Sequence, residues 1–100
     1  MKITLDIKDR IILIQNMPDQ KPAEAMILIE KISISEEEKE SYGYTVYDNK
    51  ITWNTSIDTN REFDMSIEEI SFINNILDNM NKAGFADIPS FQTYKKLKSL

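Results

Sequence analysis

The chain is expected to fold as an α+β domain, a small antiparallel sheet with a β-hairpin packed against four to five helices. Three observations lead there. Segments that alternate apolar and polar residues are short, as in Ile3-Thr4-Leu5-Asp6-Ile7. Longer segments repeat apolar residues at helical spacing, most clearly from Ile67 to Met80. Between them stand the helix-opening pattern Ser-x-x-Glu, at Ser35 and again at Ser66, and a turn pair, Asp48-Asn49.

The elements follow in order. Ile3 to Ile7 has the strand period, and Asp6 can cap a helix with Asp9 at its third position. Ile11 to Ile14 continue that helix, and Pro18 stops it because proline disfavours α geometry in the residue before it. Pro22 suits the first position of a second helix. Ala23 to Ile32 is apolar nearly all round, so a buried helix is expected. A strand is the competing assignment across 23–35, because Ile32-Ser33-Ile34-Ser35 alternates. Ser35-Glu36-Glu37-Glu38 is a capping box opening a short acidic helix that should stop near Gly43.

Tyr44 to Asn54 reads as a β-hairpin. A two-residue loop at Asp48-Asn49 pairs Tyr47 with Lys50, Val46 with Ile51 and Tyr44 with Trp53, placing Tyr44, Val46, Ile51 and Trp53 on one packed face. Glu62 to Met65 is a further strand, and Ser66 caps a helix whose core stripe is Ile67, Ile70, Ile73, Ile76, Leu77 and Met80. Gly84 suits a left-handed C-cap, with Phe85 folding back. Pro89 starts a last helix carrying Ile88, Phe91, Tyr94 and Leu97. One echo stands out. Ile3 to Asp9 and Phe63 to Glu69 share a pattern of strand, capping residue, apolar residue and acidic third position. They read as two strand-to-helix corners whose strands could pair.

Composition narrows the function. One hundred residues are enough for a single domain, 1–100. The chain is 41% hydrophobic and 29% charged, too apolar for a disordered chain. No apolar run approaches the ~20 residues that cross a bilayer, and Asp6, Lys8 and Asp9 interrupt any secretory h-region, so a cytoplasmic, non-membrane setting is expected. With neither cysteine nor histidine, thiolate and imidazole chemistry are excluded. Two glycines, Gly43 and Gly84, cannot build a phosphate loop, and no Ser-x-x-Lys pair supplies a base for a serine nucleophile. Two-carboxylate glycoside hydrolysis is compatible with the residue types, but so small a domain has little room for a cleft. The acidic stretches lack the spacing of a calcium loop. No enzyme, cofactor or metal is therefore expected. The net charge of -5 argues against direct nucleic-acid binding.

The informative side chains crowd the middle. Glu36, Glu37, Glu38 and Glu40 sit on the short helix, and Tyr42, Tyr44, Tyr47 and Trp53 surround the hairpin. An acidic rim with aromatic anchors suits a protein partner, with Glu36, Glu37, Glu38, Glu40, Tyr42 and Tyr47 as the candidate contact residues. The competing reading makes the glutamates a solvated helix start, Tyr44 and Trp53 core, and the other tyrosines edge filler.

The order of elements, with Ser35-Glu36-Glu37-Glu38 followed by a glycine and Asn49-Lys50-Ile51-Thr52-Trp53-Asn54, resembles the small uncharacterised proteins of tailed bacteriophages and prophages. That resemblance covers most of the chain and implies a small protein of an infected bacterial cell, without an assigned activity or catalytic residues to carry over. The expected function is a non-enzymatic, phage-type protein-interaction protein. The alternatives are an acidic inhibitor of a host defence or nucleic-acid enzyme, similar to an anti-CRISPR protein, and a virion accessory or assembly protein. The expected partner is a host or phage protein, with a second copy of the chain as the alternative.

Overall fold

The computed structural model describes residues 1–99. Its elements are β1 (Lys2–Leu5), α1 (Ile7–Gln15), α2 (Ala23–Ile32), α3 (Glu36–Tyr42), β2 (Thr45–Tyr47), β3 (Lys50–Thr52), β4 (Arg61–Asp64), α4 (Ile67–Ala83) and α5 (Ile88–Lys98). The class is α+β. The strands do not share one sheet, however. β1 pairs antiparallel with β4, and β2 with β3, as two separate two-stranded ladders.

The echo in the sequence marks the β1–β4 ladder. Ile3 lies opposite Phe63 and Lys2 opposite Asp64. Met1 and Met65 exchange backbone bonds of 2.7 and 3.0 Å, which sets the phase. By alternation Ile3/Phe63 and Leu5/Arg61 are bonded pairs, while Lys2 and Thr4 turn their backbone groups to the outer edge of β1. On the outer edge of β4, Lys31 Nζ donates to the Asp64 carbonyl. Beyond the ladder, Thr59 Oγ1 accepts the Ile7 N–H at 3.1 Å, and this docks the loop before β4 onto the start of α1.

α1, α3, α4 and α5 begin where side chains satisfy free amides of the first turn, whereas α2 opens at Pro22 without a side-chain cap. Asp6 with Asp9, Ser35 with Glu38 and Ser66 with Glu69 form reciprocal capping boxes on α1, α3 and α4. Residues 23–32 are helical, with Pro22 as the N-cap and Ser33 in extended geometry, so the strand alternative falls away. α5 starts at Ile88 because Asp87 caps it by accepting the Ser90 amide, and Pro89 sits inside its first turn.

One cluster of buried side chains draws Ile3, Leu5, Leu13, Leu28, Phe63, Met65, Ile76, Leu77 and Leu97 from both β1–β4 strands and four helices. Several expectations about that core need correction. α2 is not buried all round: Ala25, Leu28 and Ile32 face inward while Met26 and Ile27 face out. Ile67 belongs to the predicted stripe of α4 yet is 85% exposed. It occupies the first helical position, where the helix overhangs the core, and Met65 just before the cap fills the space beneath. On α5 only Leu97 of the expected stripe is buried. Ile88 and Phe91 are exposed, Tyr94 is half-buried, and Thr93 is buried instead. Gly84 has φ 86° and ψ 150°, positive but outside the left-handed helical region. Phe85 packs against Phe91 and Tyr94, with ring centroids 5.3 and 5.0 Å away.

Two buried charges tie the helices together. Arg10 of α1 is fully buried. Its Nε donates to the Ile32 carbonyl at 2.8 Å and Nη2 to the Ser33 carbonyl at 2.7 Å, which satisfies the C-terminal end of α2. Nη1 and Nη2 also grip the two Glu38 oxygens at 2.7 and 3.0 Å. Its guanidinium lies 5.3 Å from the Phe63 ring centroid. Asp9, one residue earlier, accepts from Thr93 Oγ1 at 2.7 Å and Lys96 Nζ at 2.5 Å, which fastens α5 to α1. Among the described residues no buried side-chain polar atom lacks a hydrogen-bond partner.

Removing one partner of a buried ion pair strands the other. Arg10→Met should therefore cost about 3–5 kcal/mol in urea unfolding. Replacing both partners, as in Arg10→Met with Glu38→Leu, should recover only part of that. The Ile32 and Ser33 carbonyls stay without this donor, and an orphaned buried acceptor such as that of Ile32 costs about 1–3 kcal/mol. Full recovery in the double variant would mean that Arg10 acts only through Glu38.

Candidate functional site

The acidic helix and the hairpin form one continuous unit. Ser35 accepts the Glu38 amide at 3.1 Å and Glu38 Oε1 accepts the Ser35 amide at 3.1 Å, so α3 is held at its first turn. Gly43 ends it with φ 65° and ψ 35°, a left-handed geometry that most side chains resist. The Tyr44 amide then donates to the Lys39 carbonyl at 2.8 Å, and the Asn54 amide to the Tyr42 carbonyl at 2.8 Å. Both ends of the hairpin are thereby anchored on the last turn of α3. The register matches the one expected: Tyr47 faces Lys50 and Val46 faces Ile51. Asp48 and Asn49 carry φ of 51° and 62°, as a primed two-residue turn requires. The Thr45 and Thr52 hydroxyls share a hydrogen bond of 2.6 Å across the strands.

The structure separates the six candidate contact residues into two groups. Glu38 and Tyr42 turn inward. Glu38 holds Arg10, accepts from Arg61 Nη1 at 3.4 Å and from the Tyr42 hydroxyl at 3.4 Å. The hydrogen bonds from Arg10 bring its carboxyl down to about 2; burial opposes this, and the Ser35 bonds add to it. Glu36, Glu37, Glu40 and Tyr47 face solvent, Tyr47 at 85% exposure. Glu36 pairs with Lys39 at 3.2 Å, whereas Glu37 and Glu40 have no ionic partner among the described residues. Val46, placed on the packed face by the sequence, is 61% exposed near the hairpin tip. Tyr44, Ile51 and Trp53 are half-buried, intermediate between core and surface.

The inner face of the hairpin stands over α1 and leaves two shallow hollows. One of about 260 Å³ is lined by Ile11, Ile14, Lys39, Tyr44 and Ile51 among others. The other, about 280 Å³, lies between Trp53, Ile51, Lys8 and the start of α5 at Pro89. A larger hollow, about 410 Å³, is at the α4–α5 connection. Its one ionisable lining residue is Asp87, already committed to capping α5. Among the described residues no three acidic side chains converge as metal ligands would, and no helix is long and apolar enough to cross a membrane.

Sequence reasoning missed the residues that hold this unit in place. Arg10 is simply one residue of an amphipathic helix when read locally, and Glu38 is simply a cap. Their pairing spans 28 positions, and the one local signal was an arginine at the edge of an isoleucine run. Comparison with protein-family models, with curated proteins and with solved structures finds no match to this chain.

Glu38 makes stability depend on acid. Its carboxyl lies below its ordinary value of 4.5 in the folded chain. A group of this kind stabilises fully above its unfolded value and loses that contribution as pH falls through the folded one. Urea midpoints should drop between about pH 4.5 and 2. Asp9, also lowered because hydrogen bonds from Lys96, Thr93 and the Asp6 amide outweigh its burial, adds a loss of the same sign. The Glu38→Gln variant should therefore lose the Glu38 share of the acid slope and keep the shares of Asp9 and of Glu69, whose carboxyl is lowered as well. Val46→Ser and Tyr47→Ser, at exposed positions, should each move stability by no more than about 0.5 kcal/mol.

Proposed function

We propose that this chain is a protein-recognition module of phage type whose contact surface is α3 and the hairpin tip. One observation carries the reading: Tyr47 and Val46 are exposed near the tip of a hairpin whose base is anchored on α3, next in the chain to the solvent-facing carboxylates Glu36, Glu37 and Glu40. The core does not need these side chains, and aromatic anchors with a charged rim are what protein interfaces use. The rigid base supports the reading too, because a surface already ordered before binding loses less entropy on association. The carboxylate rim favours a basic partner surface, such as the nucleic-acid groove of a host enzyme, and an inhibitor acting there would work by charge mimicry.

A second reading, self-association, is favoured by the outer edge of β1. Lys2 and Thr4 point their backbone groups outward, and no hydrogen bond from another described residue takes them up. Such an edge is a template for another strand.

Affinity capture from bacterial lysate at low and moderate salt tests the first reading. A captured protein should be released by salt. Its binding should fall at least about tenfold in a Glu36→Gln, Glu37→Gln, Glu40→Gln variant and in Tyr47→Ser, the change expected for losing a contact of about 1.4 kcal/mol. A partner held equally by wild type and both variants would sink this surface. Recovery of the chain alone, with a concentration-dependent dimer in sedimentation, would favour self-association.

A further inference from the structure

Away from the hairpin, α2 and the first turn of α4 expose apolar side chains that the fold does not use. Ile27 is 58% exposed, Met26 48% and Ile67 85%. The core side of α2 is supplied by Ala25, Leu28 and Ile32, so Met26 and Ile27 add nothing to it. Ile67 is equally dispensable. Met65 and Ile70 occupy the positions that fix the entry of α4, the first buried and the second half-buried.

Of these residues Ile27 lines a hollow of about 290 Å³, together with Glu24, Lys31, Ser66, Glu68 and Glu69. Ile67 lies in the chain between two of its lining residues. The hollow's one cation, Lys31, is taken up by Glu69 at 3.0 Å and by the Asp64 carbonyl. Hydrogen bonds from the Ser66 amide and from Lys31 outweigh burial and hold Glu69 below the usual carboxylate range. Glu24 and Glu68 are exposed and have no ionic or hydrogen-bond partner among the described residues, and Glu30, one turn from Ile27, has none either. Two unpaired carboxylates, Glu24 and Glu68, thus stand at a hollow that also exposes Ile27, with Glu30 on the same helix nearby.

We infer that this hollow docks a basic amphipathic helix of a partner protein, with an aliphatic side chain entering between Ile27 and the start of α4 and flanking lysines or arginines meeting Glu24, Glu30 and Glu68. The charge pattern selects the occupant. A second copy of this acidic chain would bring carboxylates against carboxylates, while an apolar residue with basic neighbours at i±3 and i±4 satisfies both the hollow and the rim. The surface is separate from the α3–hairpin surface and does not depend on that reading.

The probe is a synthetic fourteen-residue helical peptide with one leucine face and one lysine face, titrated into the ¹⁵N-labelled full chain. Amide shifts should change around residues 24–31 and 66–69. Ile27→Ser, at an exposed site, should keep the native spectrum and weaken binding about tenfold or more, the size expected for an isoleucine no longer buried. Glu24→Gln with Glu68→Gln should weaken binding and flatten its salt dependence, whereas the Glu36→Gln, Glu37→Gln, Glu40→Gln variant should bind as wild type. Three results would overturn the assignment: shifts confined to α3, unchanged affinity in Ile27→Ser, or equal binding of a peptide whose leucines are replaced by serine. The last would mark plain charge attraction.

Discussion

The buried Arg10 guanidinium is the interaction on which the arrangement of elements depends. It belongs to α1, closes the carbonyl end of α2, grips Glu38 of the α3 capping box and lies over the ring of Phe63 in β4. Taking such a charge from water costs several kcal/mol, and only good geometry with further hydrogen bonds offsets it. Here Nε, Nη1 and Nη2 all have acceptors, and Glu38 supplies the opposite charge bidentately. Lysine could not replace it, because an ammonium has neither the planar fork nor the reach to serve two carbonyls and a carboxylate together. Glu38 carries a double duty in turn. The oxygen that closes the α3 capping box also meets Arg10, so the start of the acidic helix and the end of α2 are set by the same carboxylate.

Asp9 does for α5 what Arg10 does for α2 and α3, and together they shape the surface. Lys96 is drawn to Asp9, Lys31 to Glu69, Lys39 to Glu36, and Lys98 to Asp78. The lysines that the sequence groups at the end of the chain are thus largely engaged with carboxylates and form no basic face. Glu24, Glu30, Glu37, Glu40 and Glu68 are left facing water without cations beside them. The ion pairs remove cations and carboxylates alike, so the excess of -5 resides on carboxylates of this unpaired kind. A field of that sign steers basic surfaces inward and repels copies of the same chain.

What the sequence made legible was local. Three capping boxes, the Asp48-Asn49 turn and the hairpin register rest on residues within a few positions of one another, and all appear in the structure. The pairing of β1 with β4 was also legible, through the repeated corner at Asp6 and Ser66, although 60 positions separate the two caps in the chain. The misreadings share another cause. Periodicity tells which residues lie on one side of a helix, but not how far along that side the neighbouring layer extends. Ile67 is in phase with Ile70 and Ile73 and still lies beyond the end of the core. Met26 and Ile27 look buried because α2 is apolar nearly all round, yet it packs along one face only. On α5 the buried position goes to Thr93, because Asp9 on the facing helix needs a hydroxyl donor there. For the candidate surface the same limit applied. Glu36 to Glu40 read as one acidic block, and only the distant Arg10 separates Glu38 from its neighbours.

The hairpin shows why exposure in this fold is informative. An isolated two-stranded hairpin is at best marginally stable in water. This one is ordered at its base by backbone bonds to the last turn of α3 and across its strands by the Thr45–Thr52 hydroxyl pair. Its half-buried residues Tyr44, Ile51 and Trp53 lean over α1, so packing decreases from base to tip. Val46 lies opposite Ile51 and Tyr47 opposite Lys50, and the Val46 and Tyr47 side chains stay exposed. Exchanging Val46 or Tyr47 for a polar residue would remove little that the fold requires, and the same is true of Ile27 and Ile67 on other elements. Exposed apolar side chains raise the tendency to associate, and selection for solubility alone would favour polar residues at these positions. Where they persist beside unpaired carboxylates, the simplest physical reading is that a complementary surface covers them, apolar where they protrude and basic at the rim.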